Sequence, residues 1–170
     1  TISASLAGVG TLTKTGTGLA TLSGSNTYIG STILNGGTLA LGSSDALGTV
    51  SVLSFGGGTL QYSSSNTPDY SSRFSSVSGQ AYSIDTNGQT VTFASNLTSS
   101  SGTLTKLGSG TLVLSGTNTF TGAVNIDAGA LRAANNTALG ASSGVAVASS
   151  ATLEIGGSSN LTIGAIPLTV

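Results

Sequence analysis

The chain has 170 residues, only 5% of them charged, and a formal net charge of −1. So little charge provides no electrostatic basis for binding nucleic acid or an anionic membrane surface. Histidine and cysteine are absent, which excludes serine–histidine and cysteine–histidine catalysis, disulfide bonds and zinc sites built from these residues.

The first part of the chain consists of short segments in which apolar and polar residues alternate, with glycines and other small residues between them. This pattern predicts β-strands with one face inward, because successive side chains of a strand point to opposite sides. The strands predicted up to residue 62 are Thr11–Lys14, Leu19–Ser23, Thr32–Leu34, Thr38–Leu41, Val50–Leu53 and Thr59–Tyr62.

Residues 63–80 are less regular. We expect Ser63–Ser72 to form a loop that projects from the fold, and Arg73–Val77 to form a poorer strand. Such a loop either carries binding specificity or is a longer corner without a role, and the sequence leaves both interpretations open.

Regular spacing returns after residue 80. No stretch shows a sustained apolar period of 3.6 residues, and no apolar run approaches the roughly 20 residues of a membrane-spanning helix. We therefore predict an all-β chain with almost no helix and no membrane-inserted segment. The remaining predicted strands are Ala81–Ile84, Thr90–Phe93, Thr103–Lys106, Thr111–Leu114, Val124–Ile126, Ala130–Ala133, Val145–Ala148, Thr152–Ile155 and Leu161–Ile163.

A long internal repeat dominates the sequence. Residues 11–48 and 103–140 align without a gap at an offset of 92 positions, and 17 of the 38 aligned residues are identical. Apolar strand centres also recur about every 20 residues, which predicts one parallel β-solenoid domain of about eight coils over residues 1–170. One series of centres is Leu22, Leu39, Leu60, Tyr82 and Leu104, and the second is Leu12, Ile33, Val52, Phe74, Val91 and Leu112.

An antiparallel sandwich is the alternative fold. The dipeptides Asn35-Gly36 and Asn87-Gly88 favour the tight turns of β-hairpins. A gap-free repeat of this length is unusual in a sandwich, so the solenoid is the favoured interpretation.

Two lysines, Lys14 and Lys106, occupy equivalent positions in the two copies. One interpretation is a groove that binds an anionic ligand. The favoured interpretation is a solvated strand end, whose charge discourages lateral pairing with another strand.

Two further pairs of equivalent residues invite a similar choice. Asn26 and Asn118 are interpreted as corner residues whose amides satisfy backbone groups. Tyr28 and Phe120 either form a sugar-stacking surface or, as we favour, fill the corner of a coil. All of these are structural repeat positions in this interpretation.

The acidic residues are spread along the chain without a short-range pair: Asp45, Asp69, Asp85, Asp127 and Glu154. A glycosidase needs two carboxyl groups close to the scissile bond. We therefore predict no catalytic, metal-binding or cofactor-binding residues, and expect that the chain is not an enzyme.

The repeat contains the strings Gly-Thr-Leu-Thr-Lys-x-Gly-x-Gly, Leu-Ser-Gly-x-Asn-Thr-Tyr/Phe-x-Gly and Gly-x-Leu. They lie at Gly10–Gly18, Leu22–Gly30 and Gly37–Leu39, and again at Gly102–Gly110, Leu114–Gly122 and Gly129–Leu131. Their order and spacing resemble the autotransporter-associated β-strand repeat, also called the passenger-associated transport repeat. The resemblance implies a right-handed parallel β-helix in the passenger of a type V secretion protein, secreted or displayed on the bacterial outer membrane.

The leading functional hypothesis is a structural stalk, a segment of a longer autotransporter-like protein that supports adhesion or the display of an effector. Its partners would be flanking β-helix coils of the same protein or stacked copies of itself. The alternatives are an adhesin module that binds glycans or surface proteins and a self-stacking subunit of an extracellular filament. A polysaccharide-acting enzyme is the least favoured reading.

Overall fold

The computed structural model describes residues 1–49, 52–157 and 164–170. These residues contain fifteen strands and one short 3₁₀ helix, Ser71–Arg73. The strands are β1 (Leu12–Lys14), β2 (Leu19–Leu22), β3 (Thr32–Leu34), β4 (Thr38–Leu41), β5 (Leu53–Phe55), β6 (Thr59–Gln61), β7 (Ala81–Asp85), β8 (Thr90–Phe93), β9 (Thr103–Leu107), β10 (Thr111–Leu114), β11 (Val124–Ile126), β12 (Gly129–Ala133), β13 (Val145–Val147), β14 (Ala151–Ile155) and β15 (Leu168–Thr169).

Most of the predicted strands coincide with these elements to within one residue at each end. The strand predicted at Val50–Leu53 is displaced: β5 begins at Leu53, and residues 50 and 51 lie outside the described part of the chain. The strand predicted at Leu161–Ile163 also lies outside the described residues. β15 was not predicted, because the apolar run before it contains Pro167, which cannot donate to a strand ladder.

The strands form three parallel sheets. Sheet I has the order β1-β3-β5, sheet II the order β15-β13-β11-β9-β7-β6-β4-β2, and sheet III the order β14-β12-β10-β8. Each strand in sheet II pairs in parallel with a strand one coil away, so its eight strands are separated by seven steps. The described chain is therefore an all-β solenoid of about seven coils, which confirms the predicted fold class.

The two Asn-Gly dipeptides are corners of coils. Asn35-Gly36 lies between β3 and β4, which belong to sheets I and II, and Asn87-Gly88 lies between β7 and β8, which belong to sheets II and III. Asn87 and Gly88 both have positive φ values, 46° and 82°. Such values suit a tight change of direction, but here the turn moves the chain to the next sheet, so the sandwich is not the fold.

One of the two predicted series of strand centres is confirmed, and the other is wrong as a single face. The series from Leu22 to Leu104 follows sheet II through β2, β4, β6, β7 and β9, as predicted. The series from Leu12 to Leu112 is wrong as a single face, because its first members lie in or beside sheet I and its last two, Val91 and Leu112, lie in sheet III.

The two copies of the repeat lie on different sides of the solenoid. β1 and β2 of the first copy belong to sheets I and II, whereas the equivalent β9 and β10 belong to sheets II and III. Along sheet II, β9 is the fourth strand after β2. The 92-residue offset is therefore four coils plus one side of a coil, and the second copy is rotated about the solenoid axis.

Residues 63–80 fill the coil between β6 and β7, which are neighbours in sheet II. They do not project as predicted. The Asn66 Nδ2 donates to the carbonyl oxygens of Ser43 (2.6 Å) and Ser44 (3.2 Å), and the buried Tyr70 donates its hydroxyl to Asn66 Oδ1 (3.0 Å). The predicted strand over Arg73–Val77 is reduced to one isolated bridge, from Phe74 to Leu53.

The core consists of inward side chains stacked in columns along the sheets. Leu22 and Leu114, at equivalent repeat positions, are both fully buried, as is Leu104. Its equivalent Leu12 is partly buried and packs against the same core. These positions confirm the predicted inward register of the strands.

Candidate functional site

Four acidic side chains contact a neighbouring coil: Asp45, Asp69, Asp85 and Glu154. Among the described residues there is no group of three or more potential metal ligands of the His, Cys, Asp or Glu type. Asp85 accepts hydrogen bonds from the Asn87 backbone N (2.8 Å) and from Gln61 Nε2 (2.7 Å). Glu154 accepts from Arg132 Nε at 2.7 Å in an exposed ion pair between β12 and β14. Such contacts stabilise neighbouring coils. None of them places two of these carboxyl groups together in a cleft.

The repeated lysines form the most distinctive polar feature of the fold. Lys14 Nζ donates to the carbonyl oxygens of Thr15 (2.8 Å), Gly16 (3.0 Å) and Gly36 (3.0 Å). Two of these acceptors follow Lys14 in its own coil, and the third belongs to the next coil. The ammonium group therefore ties one coil corner to the next.

Lys106 repeats this arrangement in the second copy. Its Nζ donates to the carbonyl oxygens of Leu107 (2.8 Å), Gly108 (2.8 Å) and Ala128 (3.1 Å). We call each set of three carbonyls around a lysine Nζ a carbonyl cage. The acceptors of the two cages occupy matching positions, although the cages lie on different sides of the solenoid.

The burial of both lysines overturns the predicted solvated strand end. Lys14 is 9% exposed and Lys106 is fully buried. Neither ammonium group faces a solvent groove, so the structure does not support an anion-binding groove at these positions either. Burial lowers the pKa of Lys106 to about 8, and the negative charge of Asp85 opposes this shift.

A glycine of positive φ closes each cage. Gly37 (φ 60°) and Gly129 (φ 67°) are equivalent, and both lie against a lysine of the preceding coil. A Cβ at Gly37 would lie 2.6 Å from Lys14 Nζ, and one at Gly129 would lie 2.9 Å from Lys106 Nζ. Any side chain here would be strained by the backbone and would push into the cage.

The repeated asparagines bridge three successive coils. The Leu6 backbone N donates to Asn26 Oδ1 (2.8 Å), and Asn26 Nδ2 donates to the carbonyl of the next coil at Ala46 (2.7 Å).

Asn118 makes the equivalent pair of contacts. It accepts from the Leu97 backbone N at 2.7 Å and donates to the Ala138 carbonyl at 2.5 Å. Both asparagines are buried. These are the contacts that the corner interpretation requires, with one backbone group satisfied on each side of the asparagine.

The repeated aromatic residues are inside the fold. Tyr28 is 3% exposed and Phe120 is fully buried. The Tyr28 hydroxyl lies 2.8 Å from the Thr32 hydroxyl, a hydrogen bond that satisfies the polar end of the ring. A sugar cannot stack on rings that are covered, so the alternative of a sugar-stacking surface at these two positions is wrong.

Side chains of the coil formed by residues 63–80 accept hydrogen bonds from backbone groups at the ends of strands in two sheets. The Phe55 backbone N, at the end of sheet I, donates to Gln80 Oε1 at 2.8 Å. Beyond the end of β8, the first strand of sheet III, the Ala94 backbone N donates to Asp69 Oδ2 at 2.8 Å. Sequence reasoning missed these residues, because an isolated Gln or Asp in an irregular stretch carries no periodic signal.

An aromatic cluster fills the core beside this coil. The closest ring centroids are those of Phe55 and Phe74 (4.9 Å) and of Phe74 and Phe93 (5.1 Å), both edge-to-face. Tyr62 stacks near Tyr70 with centroids 6.2 Å apart, and burial raises the pKa of both phenols. These large rings fill the less regular part of the core where sheet I ends and sheet III begins.

Carbonyl cages, bridging asparagines and stacked apolar columns together define a parallel β-solenoid built from a repeated corner unit. The family model described as the passenger-associated-transport-repeat matches residues 12–41 and again residues 104–133. Each match lies within one copy of the internal repeat, where the sequence resemblance to this repeat was found. Neither the curated proteins nor the solved structures gave a match. The described residues contain no helix with the length and hydrophobicity needed to cross a membrane.

Proposed function

We propose that this chain is a rigid spacer: a β-helical stalk segment of a secreted or surface-displayed bacterial passenger, which holds an adhesive or effector part away from the cell. The chain acts without catalysis, as one segment of a longer protein. The passenger repeat supports the secreted setting, and the solenoid supports the mechanical role.

The observation that carries the proposal is the unbroken ladder of sheet II. Its eight strands run through the described chain from β2 to β15 without a change of sheet, even where the repeat rotates. At about 4.8 Å per coil, seven steps extend about 34 Å along the axis. Each coil is cross-linked to the next by backbone pairing, so the segment transmits position along its axis.

Paired spin labels on sheet II test the rigidity. Leu19 and Ala146 are exposed and lie in one column of paired residues, six steps apart. Since the chain has no cysteine, Leu19→Cys/Ala146→Cys places two labels without other changes. Double electron–electron resonance should give one narrow distance distribution centred near 29 Å plus the label arms, from about 4.8 Å per step.

The matched control is Leu19→Cys/Thr105→Cys, which lies in the same column but is four steps long. Its mean distance should be shorter by about 10 Å, or two coil rises. Broad distributions, or equal means in the two pairs, would refute the rigid stalk.

No contact in the described residues favours the adhesin module, since the two aromatic positions that suggested sugar stacking are buried. A glycan array and a polysaccharide depolymerisation assay separate the alternatives. We expect neither binding nor cleavage. A glycan that binds with a micromolar Kd would assign the chain to the adhesin class, and cleavage would assign it to the enzymes.

A further inference from the structure

We propose that the carbonyl cage at each repeat corner is a binding site for a primary ammonium ion, which the chain fills from within by a lysine side chain. The ligand class follows from the acceptors. Three backbone carbonyl oxygens lie 2.8–3.1 Å from Lys106 Nζ, and three lie 2.8–3.0 Å from Lys14 Nζ.

The number of donors matches the number of acceptors. A primary ammonium group on a carbon chain has three N–H donors and no acceptor, and each cage offers three carbonyls. A methionine of similar length would remove the lysine donors from all three carbonyls, of which the Leu107 carbonyl in the second cage also accepts from the Thr86 backbone N at 3.2 Å, and a guanidinium group is planar and larger. The site therefore selects a –CH₂–NH₃⁺ group by geometry as well as by charge.

The cage supplies part of the compensation that a buried cation requires. Neither lysine forms an ion pair within 4.0 Å among the described residues, where Arg132–Glu154 is the pair present. A buried charge is tolerated when polar groups around it replace its hydration. The carbonyl dipoles perform that role here, and in return the ammonium group gives each of these carbonyls a donor.

The aliphatic part of the Lys106 side chain reaches the cage along the core side of sheet II. Lys106 pairs in register with Ile84 on one side and with Ile126 on the other. Its aliphatic carbons therefore continue the inward apolar column of sheet II, and only the ammonium end reaches the corner. A cavity left by truncation at Lys106 would have an apolar channel and a polar end, which fits a short alkylammonium ion.

The cage recurs independently of its sheet. Lys14 lies in sheet I and Lys106 in sheet II, yet both use two carbonyls of their own corner and one of the next coil. Different neighbouring strands with the same cage indicate that the corner itself is the binding unit.

Chemical rescue tests the proposal. Lys106→Ala retains the Cβ and empties the rest of the site, so n-propylammonium replaces the missing atoms. The variant should unfold at a lower urea midpoint than the wild type. When it is refolded in n-propylammonium chloride, the midpoint should rise with the logarithm of the salt concentration once that concentration exceeds the Kd, as expected for a ligand that binds only the folded state.

Three comparisons make the rescue specific. Tetramethylammonium chloride at equal concentration has no N–H donor and should not rescue. The longer n-hexylammonium should rescue less than n-propylammonium, because the channel has a fixed length. Lys106→Met fills the channel without an ammonium group and should not respond to any of these salts.

An equal response of Lys106→Ala and Lys106→Met to n-propylammonium would overturn the proposal, as would equal rescue by tetramethylammonium. If Lys106→Ala does not refold, the same series applies to Lys14→Ala, whose cage lies nearer the first coil and is slightly exposed. Rescue of that variant by n-propylammonium alone supports the site, and its absence refutes it.

Discussion

Substitution of Asn118 measures how strongly the corner residues bind successive coils together. Asn118→Ala removes the acceptor for the Leu97 N–H and the donor for the Ala138 carbonyl. Each buried backbone group left without a partner costs about 1–3 kcal/mol. The expected loss of unfolding free energy for the two groups is therefore about 2–6 kcal/mol.

Urea denaturation followed by far-UV circular dichroism gives this loss. With an m-value of about 2 kcal/mol/M, the midpoint should fall by about 1–3 M. The Leu97 amide should also lose protection from hydrogen exchange, which locates the effect at the corner. A matched control is Asn125→Ala, because Asn125 lies on β11 with its side chain outward and half-buried.

A second substitution separates the two contacts. Asn118→Asp keeps an oxygen for the Leu97 N–H but turns a carboxylate toward the Ala138 carbonyl. Protonation lets the carboxyl donate to that carbonyl, so the folded state raises its pKa and the variant should be more stable at acidic than at neutral pH. Unchanged midpoints for Asn118→Ala, with Leu97 still protected, would refute the bridging role.

Three further perturbations test the core, the cage and its charge. Leu22→Ala should cost about 2–5 kcal/mol of unfolding free energy, because Leu22 is fully buried; a loss of a few tenths would show that the inward register is wrong. Gly129→Ala should destabilise the fold strongly, whereas Gly156→Ala, which meets nothing within 4 Å, should leave the melting temperature nearly unchanged. Burial lowers the pKa of Lys106 to about 8 despite Asp85, so the unfolded chain binds more protons between about pH 8 and 10. The urea midpoint of the wild type should therefore rise relative to Lys106→Met from pH 7 to pH 9.5, and a relative fall would contradict the shift.

The strands and their order were predictable because each coil repeats a simple physical pattern. Alternating residues such as Thr90-Val91-Thr92-Phe93 have one face that must be buried, and the structure buries Val91 and Phe93. Regular spacing then identified sheet II from Leu22 to Leu104. Alternation and spacing are local signals, so they can be recognised in the sequence without knowing which residues are neighbours in the fold.

The lysine cages were not predicted, although a signal was present. Lys106 occupies the inward parity of β9, two residues after the buried Leu104. A lysine is rarely fully buried, and that general tendency outweighed the alternation in our interpretation. An inward lysine flanked by glycines at the next corner is the pattern that would have revealed the cage.

The contacts of the irregular coil, residues 63–80, could not be predicted for a different reason. Asn66 and Gln80 are buried and form hydrogen bonds with residues 23 and 25 positions away, in neighbouring coils. Nothing in their own stretch of sequence has a period that indicates an inward face. Their positions follow from the neighbouring coils, which only the folded structure brings together.

The rotation between the two copies indicates what the repeat encodes. The same sequence pattern forms sheets I and II in the first copy and sheets II and III in the second. The neighbouring strands therefore differ, whereas the lysine cage, the asparagine bridge and the buried aromatic side chain are the same in both. Since these contacts are shared although the sheets differ, we infer that the repeat specifies two successive coils and their corners, independently of the side of the solenoid on which it lies. A stalk can then gain or lose such units without a fixed rotational position, provided that each one joins its neighbours by parallel pairing.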